Sequence, residues 1–181
     1  MELSCVLVVS EIIGGDWMKK YRIYYVLALL SVFMYFSFHA VSVTPEETIA
    51  HYKERWGVEM PIPDEINDIW STKYPAHGDG EWVTEFKYEI TLLPEQLNDF
   101  TKVTEENISL ANGFVNKFLN RVKNIYSIQR DDTFNQTIEP YSIDLKLGDY
   151  YFHHSENGDF DTFTGIYQQQ ENRILVFEWH Q

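Results

Sequence analysis

Thr104–Tyr126 reads TEENISLANGFVNKFLNRVKNIY. Ile108, Ala111, Val115, Phe118, Leu119, Val122 and Ile125 recur along it at helical spacing and form one apolar stripe. Thr104 suits the cap, and Glu105 and Glu106 suit the positive first turn. Lys117, Arg121 and Lys123 lie toward the negative end. The pattern predicts an amphipathic helix that needs a flat apolar partner.

The partner is predicted on both sides of it. Upstream, Glu81–Leu93 places Trp82, Thr84, Phe86, Tyr88, Ile90 and Leu92 in alternation with more polar residues, a strand with one buried face that Pro94 ends. Leu97 and Phe100 then suggest a helical turn. Downstream, Gln129–Pro140 is polar and reads as a loop. Tyr141–Leu147, Tyr150–His154, Asp161–Gln169 and Arg173–Trp179 read as successive strands, with Asn157-Gly158 and Gln170-Glu171-Asn172 as turns. The expected fold class is α+β, an antiparallel sheet covered on one face by the long helix.

Two helices are predicted ahead of this sheet. Thr44-Pro45-Glu46-Glu47 holds a cap, a first-position proline and a capping box. Ile49, Tyr52 and Trp56 follow on one face, and Gly57 is placed to stop the helix. It is expected to act as a spacer outside the domain. After Pro61 and Pro63, Asp64–Trp70 reads as another short helix with Ile66, Ile69 and Trp70 inward.

The spacer would stand beside a membrane. From Ile23 to Val43 there is no Asp, Glu, Lys or Arg, enough at helical rise to cross about 30 Å of hydrocarbon. Lys19, Lys20 and Arg22 precede the run, so the positive-inside rule puts residues 44–181 outside the cell. Ala40-Val41-Ser42 also fits a signal-peptide cleavage site, with secretion after Ser42 as the alternative. The long h-region, rich in Phe and Tyr, favours an uncleaved single-pass anchor over residues 18–43. Residues 1–17 are expected to be an upstream extension: Met18-Lys19-Lys20 is a common opening of exported bacterial proteins, and Gly14-Gly15-Asp16 can be encoded as a ribosome-binding sequence. The only cysteine, Cys5, lies there, so residues 44–181 have neither disulfide nor thiolate chemistry.

Charge bounds the partners. Three basic and three acidic residues precede Thr44, so the remainder carries the whole net charge of −14. That surface repels nucleic acid and anionic lipid headgroups and suits cations, basic proteins or a cationic wall component.

Two loops concentrate candidate ligands. His77-Gly78-Asp79-Gly80 can turn backbone N–H groups toward a ligand, and His77 and Asp79 can share a metal or a proton; the lysine and glycine spacing of a P-loop are missing. His153-His154-Ser155-Glu156-Asn157-Gly158-Asp159-Phe160-Asp161 gathers imidazoles and carboxylates, and strand geometry lets only one of the two histidines join Asp159 or Asp161. The EF-hand spacing is absent. His180, at the end of the last strand, is expected to be exposed. No G-x-S-x-G elbow is present, and no cofactor is expected beyond a divalent cation at these loops.

The basic start and single apolar span, the T-P-E-E helix, the H-G-D-G-E loop and the closing F-E-W-H strand resemble small uncharacterised membrane-anchored proteins of Gram-positive bacteria. The resemblance implies an extracytoplasmic domain and carries no activity. The expected function is a non-enzymatic binding or interaction module at the bacterial cell surface, anchored by Ile23–Val43 and meeting a protein or cell-envelope partner. Two alternatives are an accessory subunit of a membrane complex and a metal-dependent envelope hydrolase. The hydrolase requires His77, Asp79, His154 and Asp159 to meet.

Overall fold

Ile174-Leu175-Val176-Phe177 is a continuous apolar run, and all four side chains are buried. Alternate residues of a strand point to opposite faces, so this run demands cover on both sides of the sheet. The computed structural model describes residues 43–72, 79–128, 133–141 and 143–181, and supplies that cover. The elements are helix α1 (Pro45–Trp56), strands β1 (Glu65–Ser71) and β2 (Gly80–Lys87), and a 3₁₀ turn (Pro94–Gln96). Then come β3 (Thr101–Lys102), helices α2 (Ile108–Ile128) and α3 (Thr133–Ile138), and strands β4 (Tyr150–Glu156), β5 (Asp161–Gln168) and β6 (Arg173–His180).

The six strands form one antiparallel sheet in the order β1-β2-β6-β5-β4-β3. The α+β class holds, but two cores replace the single one expected. On one face α1 lays Ile49, Tyr52 and Trp56 against Phe86, Phe163, Ile174 and Val176. On the other, α2 lays Ala111, Val115, Phe118, Leu119 and Val122 against Val83, Ile166, Leu175, Phe177 and Trp179. The predicted stripe of α2 is therefore the one that packs. Thr44–Gln181 forms one compact unit, and both cores close within it.

Helix α1 is thus a core element rather than a spacer. Its ends match the sequence reading: Thr44 Oγ1 accepts from Glu47 N at 3.2 Å, Thr44 N donates to Glu47 Oε2 at 2.9 Å, and Gly57 caps at φ 67°. Asp64–Trp70 gives a strand, β1, instead of a helix. Its register shifts between Asp68 and Trp70, a β-bulge that sends both Ile69 and Trp70 to the second core while Ile66 packs on the first. The bulge produced the helix-like spacing. Tyr141–Leu147 is not a strand among its described residues. The edge of β4 that it would pair with is taken by Thr101–Lys102, and Asn112 Oδ1 accepts from Leu145 N at 3.0 Å instead. The expected loop Gln129–Pro140 contains α3, which buries Phe134 and Ile138.

Helix α2 begins three residues later than the Thr104 cap suggested. Asn107 Oδ1 accepts from Thr104 N at 2.8 Å and holds 105–107 as a turn, so Glu105 and Glu106 precede the helix. Strand β2 ends at Lys87, leaving Ile90 exposed, and both its faces are buried. Among the described residues no helix is long and apolar enough to cross a membrane; the expected span, apart from Val43, lies outside them, as do residues 1–17.

If α1 belongs to the core, Trp56→Ala should cost about 3–5 kcal/mol in urea unfolding of Thr44–Gln181. A loss below about 1 kcal/mol would return the helix to a peripheral spacer.

Candidate functional site

Strand pairing brings titratable side chains together where β4, β5 and β6 meet the C-terminal end of α1. His154 and Glu156 are two apart on β4, as Glu178 and His180 are on β6, so each pair shares a face. The register sets Trp82 opposite Glu178, Glu178 opposite Phe163, and Phe163 opposite His154; Asp161 lies opposite Glu156. All point toward α1.

There the charges find partners. Tyr52 Oη donates to Glu178 Oε2 and Trp56 Nε1 donates to Glu178 Oε1, both at 2.9 Å and both buried. His180 stands between two carboxylates, Nδ1 at 3.5 Å from Asp161 Oδ1 and Nε2 at 3.6 Å from Glu178 Oε1. Arg55 donates to Glu156 Oε2 at 2.9 Å while its guanidinium lies 4.5 Å from the centre of the Trp56 ring. His154 Nε2 is 3.2 Å from Glu156 Oε1. Arg55 and then His154 hold the Glu156 carboxyl below the usual carboxylate range. Burial, with the Glu178 charge next, pushes the Tyr52 phenol far above its ordinary range. The arrangement is a clamp between α1 and the sheet, with each oxygen of its carboxylates facing an internal partner.

Close packing fixes the edge of the clamp. The Trp82 indole lies back over Gly80, where an added Cβ would sit 2.8 Å from the ring, and meets the His180 ring edge-on at 5.3 Å. His180 is therefore half-buried and not exposed as expected.

The four predicted ligands are placed as follows. His154 belongs to the clamp. Asp159 is across the sheet from it, bonded to Lys117 Nζ at 2.7 Å and to Ser155 Oγ, with its backbone oxygen accepting from Arg121 at 3.1 Å. Lys117 holds its carboxyl below the usual range. Asp79 is exposed, next to Gly80 on β2. His154 lies three strands from Trp82 in the same row, about 14 Å at ordinary strand spacing, and Asp79 is three residues further out. His77 lies outside the described residues. Among the described residues no group of three or more His, Cys, Asp or Glu side chains is arranged to hold a metal ion.

His153, on the α2 face, stacks on Phe114 at 3.8 Å with Nδ1 at 2.9 Å from Thr164 Oγ1. Burial pushes its imidazole below the ordinary value.

An open site lies on the other flank of α1. Glu46, Ile49, Ala50 and Lys53 line one wall of a groove of about 630 Å³; Glu59–Ile62 and Glu95, Gln96 and Asn98 line the other. The volume suits a small-molecule or peptide ligand. Ile49, Ala50, Met60, Pro61 and Ile62 give it an apolar lining, and Ile62 is 56% exposed at the lip. Its far wall is pinned by Glu59 N donating to Asp99 Oδ2 at 2.7 Å and Tyr88 Oη donating to Pro61 O at 3.0 Å. Lys53 pairs with Glu59 at 2.9 Å across the groove, while Glu46 and Glu95 have no cation beside them among the described residues. Neither the groove nor the Arg55–Trp56–Glu178 half of the clamp was read from the sequence. The clamp had a signal in the paired spacings 154/156 and 178/180. The groove had none, because its walls come from segments whose approach only the packing of α1 decides.

A scan against protein-family models and searches of curated proteins and solved structures find no match to this chain.

Tyr52 and His153 each contribute to the pH dependence of stability, and buried Tyr88 and Tyr167, also raised by burial, add to the alkaline side. Tyr52 has a raised native pKa, so its contribution is complete below its ordinary value of 10.0 and is lost as pH rises beyond it. His153 has a lowered native pKa, so its contribution is present above 6.5 and is lost as pH falls below it. Urea midpoints of Thr44–Gln181 should therefore decline above about pH 10 and below about pH 6.5. Tyr52→Phe should flatten part of the alkaline limb and cost about 1–3 kcal/mol near pH 8, since it strips one donor from buried Glu178. His153→Phe should flatten part of the acid limb.

Proposed function

We propose that this chain is a membrane-anchored binding module of the bacterial cell surface, with residues 18–43 as its single-pass anchor and the α+β domain outside the cell. The observation that carries the binding reading is the groove beside α1: preformed, pinned on its far wall, apolar within and acidic at its rim. A site whose walls are already ordered gives up little freedom when a ligand arrives. The charge of the domain agrees with a cationic ligand, and its net −14 would draw one in at long range.

The clamp supports binding over catalysis. A general acid or base needs a proton path to a substrate atom. In the clamp the carboxylates are engaged with Tyr52, Trp56, Arg55 and Asn157.

Fluorescently labelled Thr44–Gln181 should be retained by isolated Gram-positive cell envelopes and released as salt is raised past about 0.5 M, where screening is short-ranged. Ala50→Trp, which fills the groove from an exposed position on α1, should lower retention at least tenfold at an unchanged urea midpoint. Absence of retention, or retention indifferent to Ala50→Trp, would overturn the reading. For the full chain, cell fractionation should place it in the membrane, and protease added to intact cells should digest residues 44–181.

A further inference from the structure

We infer that the groove beside α1 takes a short basic peptide segment carrying an apolar side chain between its cationic ones, an inference that rests on the binding reading above. The two chemistries of the groove are set at different depths. Ile49 and Met60 are almost fully buried at its base, Pro61 is half-buried above them, and Ile62 stands exposed at the lip. Glu46, Glu59 and Glu95 are all exposed around it. They come from both walls: Glu46 from the first turn of α1, Glu59 from the extended segment after Gly57, and Glu95 from the 3₁₀ turn.

A ligand that used only the rim would leave the open apolar surface of Ala50, Pro61 and Ile62 wet. A purely cationic polymer or polyamine does so, and a neutral apolar molecule leaves Glu46 and Glu95 unanswered. A peptide with Lys or Arg on either side of a Leu-like residue answers both. Burying one such side chain favours binding by about 1.5–3 kcal/mol, roughly 10- to 100-fold. Exposed ion pairs add less each and depend on salt.

Lys53 refines the picture. Its ammonium already bonds Glu59 at 2.9 Å, and both side chains are more than half exposed. Exposed pairs of this kind contribute little to stability, so an incoming cation can replace Lys53 at Glu59 at small cost. The internal pair thus occupies the place of a ligand cation in the empty groove. Lys53→Met removes this competitor and should tighten binding about threefold or more.

The probe is a fluorescein-labelled peptide, Lys-Leu-Lys-Leu-Lys, titrated into Thr44–Gln181 and followed by anisotropy. It should bind at low salt. Lys-Ser-Lys-Ser-Lys should bind at least about tenfold more weakly, Glu-Leu-Glu-Leu-Glu not measurably, and spermidine should compete poorly. The double variant Glu59→Gln with Glu95→Gln should raise the dissociation constant about tenfold, and Ala50→Trp should abolish binding at an unchanged urea midpoint. Equal binding of the serine peptide, strong competition by spermidine, or indifference to the double variant would overturn the peptide assignment. If no peptide binds while envelope retention still depends on Ala50, the ligand class is wrong and the binding module stands. If Ala50→Trp changes neither, the groove is not the site and both readings fall.

Discussion

Glu178 sits in the central strand β6 with 8% of its surface exposed, and an unpaired carboxylate in that position would cost several kcal/mol. Tyr52 and Trp56, one helical turn apart on α1, donate to its two oxygens. The helix and the strand therefore have to meet in one register. Aromatic contacts follow the same register: Trp56 lies 5.6 Å and Tyr52 5.5 Å from the Phe163 ring, and Tyr52 meets Phe86 edge-on. Because α1 is fixed here, the strip of chain after Gly57 is fixed beside it, and the groove has its shape.

Both faces of the sheet combine packed apolar side chains with buried polar groups. On the α1 face, aromatic rings surround a small network of buried polar groups. The α2 face lays an aliphatic and aromatic stripe on the sheet and also carries charge: Arg173 pairs with buried Glu85 at 3.1 Å, and Lys117 and Arg121 reach the β4–β5 turn. That turn holds Asn157, Gly158 and Asp159 at positive φ. Asp159 is strained there, and its bonds to Lys117 and Ser155 offset the strain. The turn thus links both faces, since Asn157 also bonds Asp161 on the clamp side.

The alternating and continuous apolar patterns made most strands legible. The three C-terminal strands matched to within two residues, because Asn157-Gly158 and the 169–172 turn bound them clearly. The helix stripe of α2 was equally plain. Where the reading failed, one local pattern had two physical origins. Ile66, Ile69 and Trp70 carry helical spacing because a bulge interrupts β1. Tyr141–Leu147 alternates like a strand, yet the sheet edge it needed was occupied by Thr101–Lys102. The candidate ligands were found as residue types; their grouping was not, since Asp159 and His154 sit on opposite faces of one hairpin.

The sequence by itself determined the class of fold, the helix caps of α1, the stripe of α2, the absence of thiol chemistry from residues 44–181, and the acidic surface. These depend on local periodicity, on end effects within a turn or two, and on simple counts. Tertiary structure alone decided that α1 closes a second core, that Glu178 and His180 face it, and that Glu46, Glu59 and Glu95 border a single groove. Those outcomes join residues from 13 to 126 positions apart. No window along the chain carries such information; it arises when a buried carboxylate and a two-sided sheet accept only one arrangement of their covers.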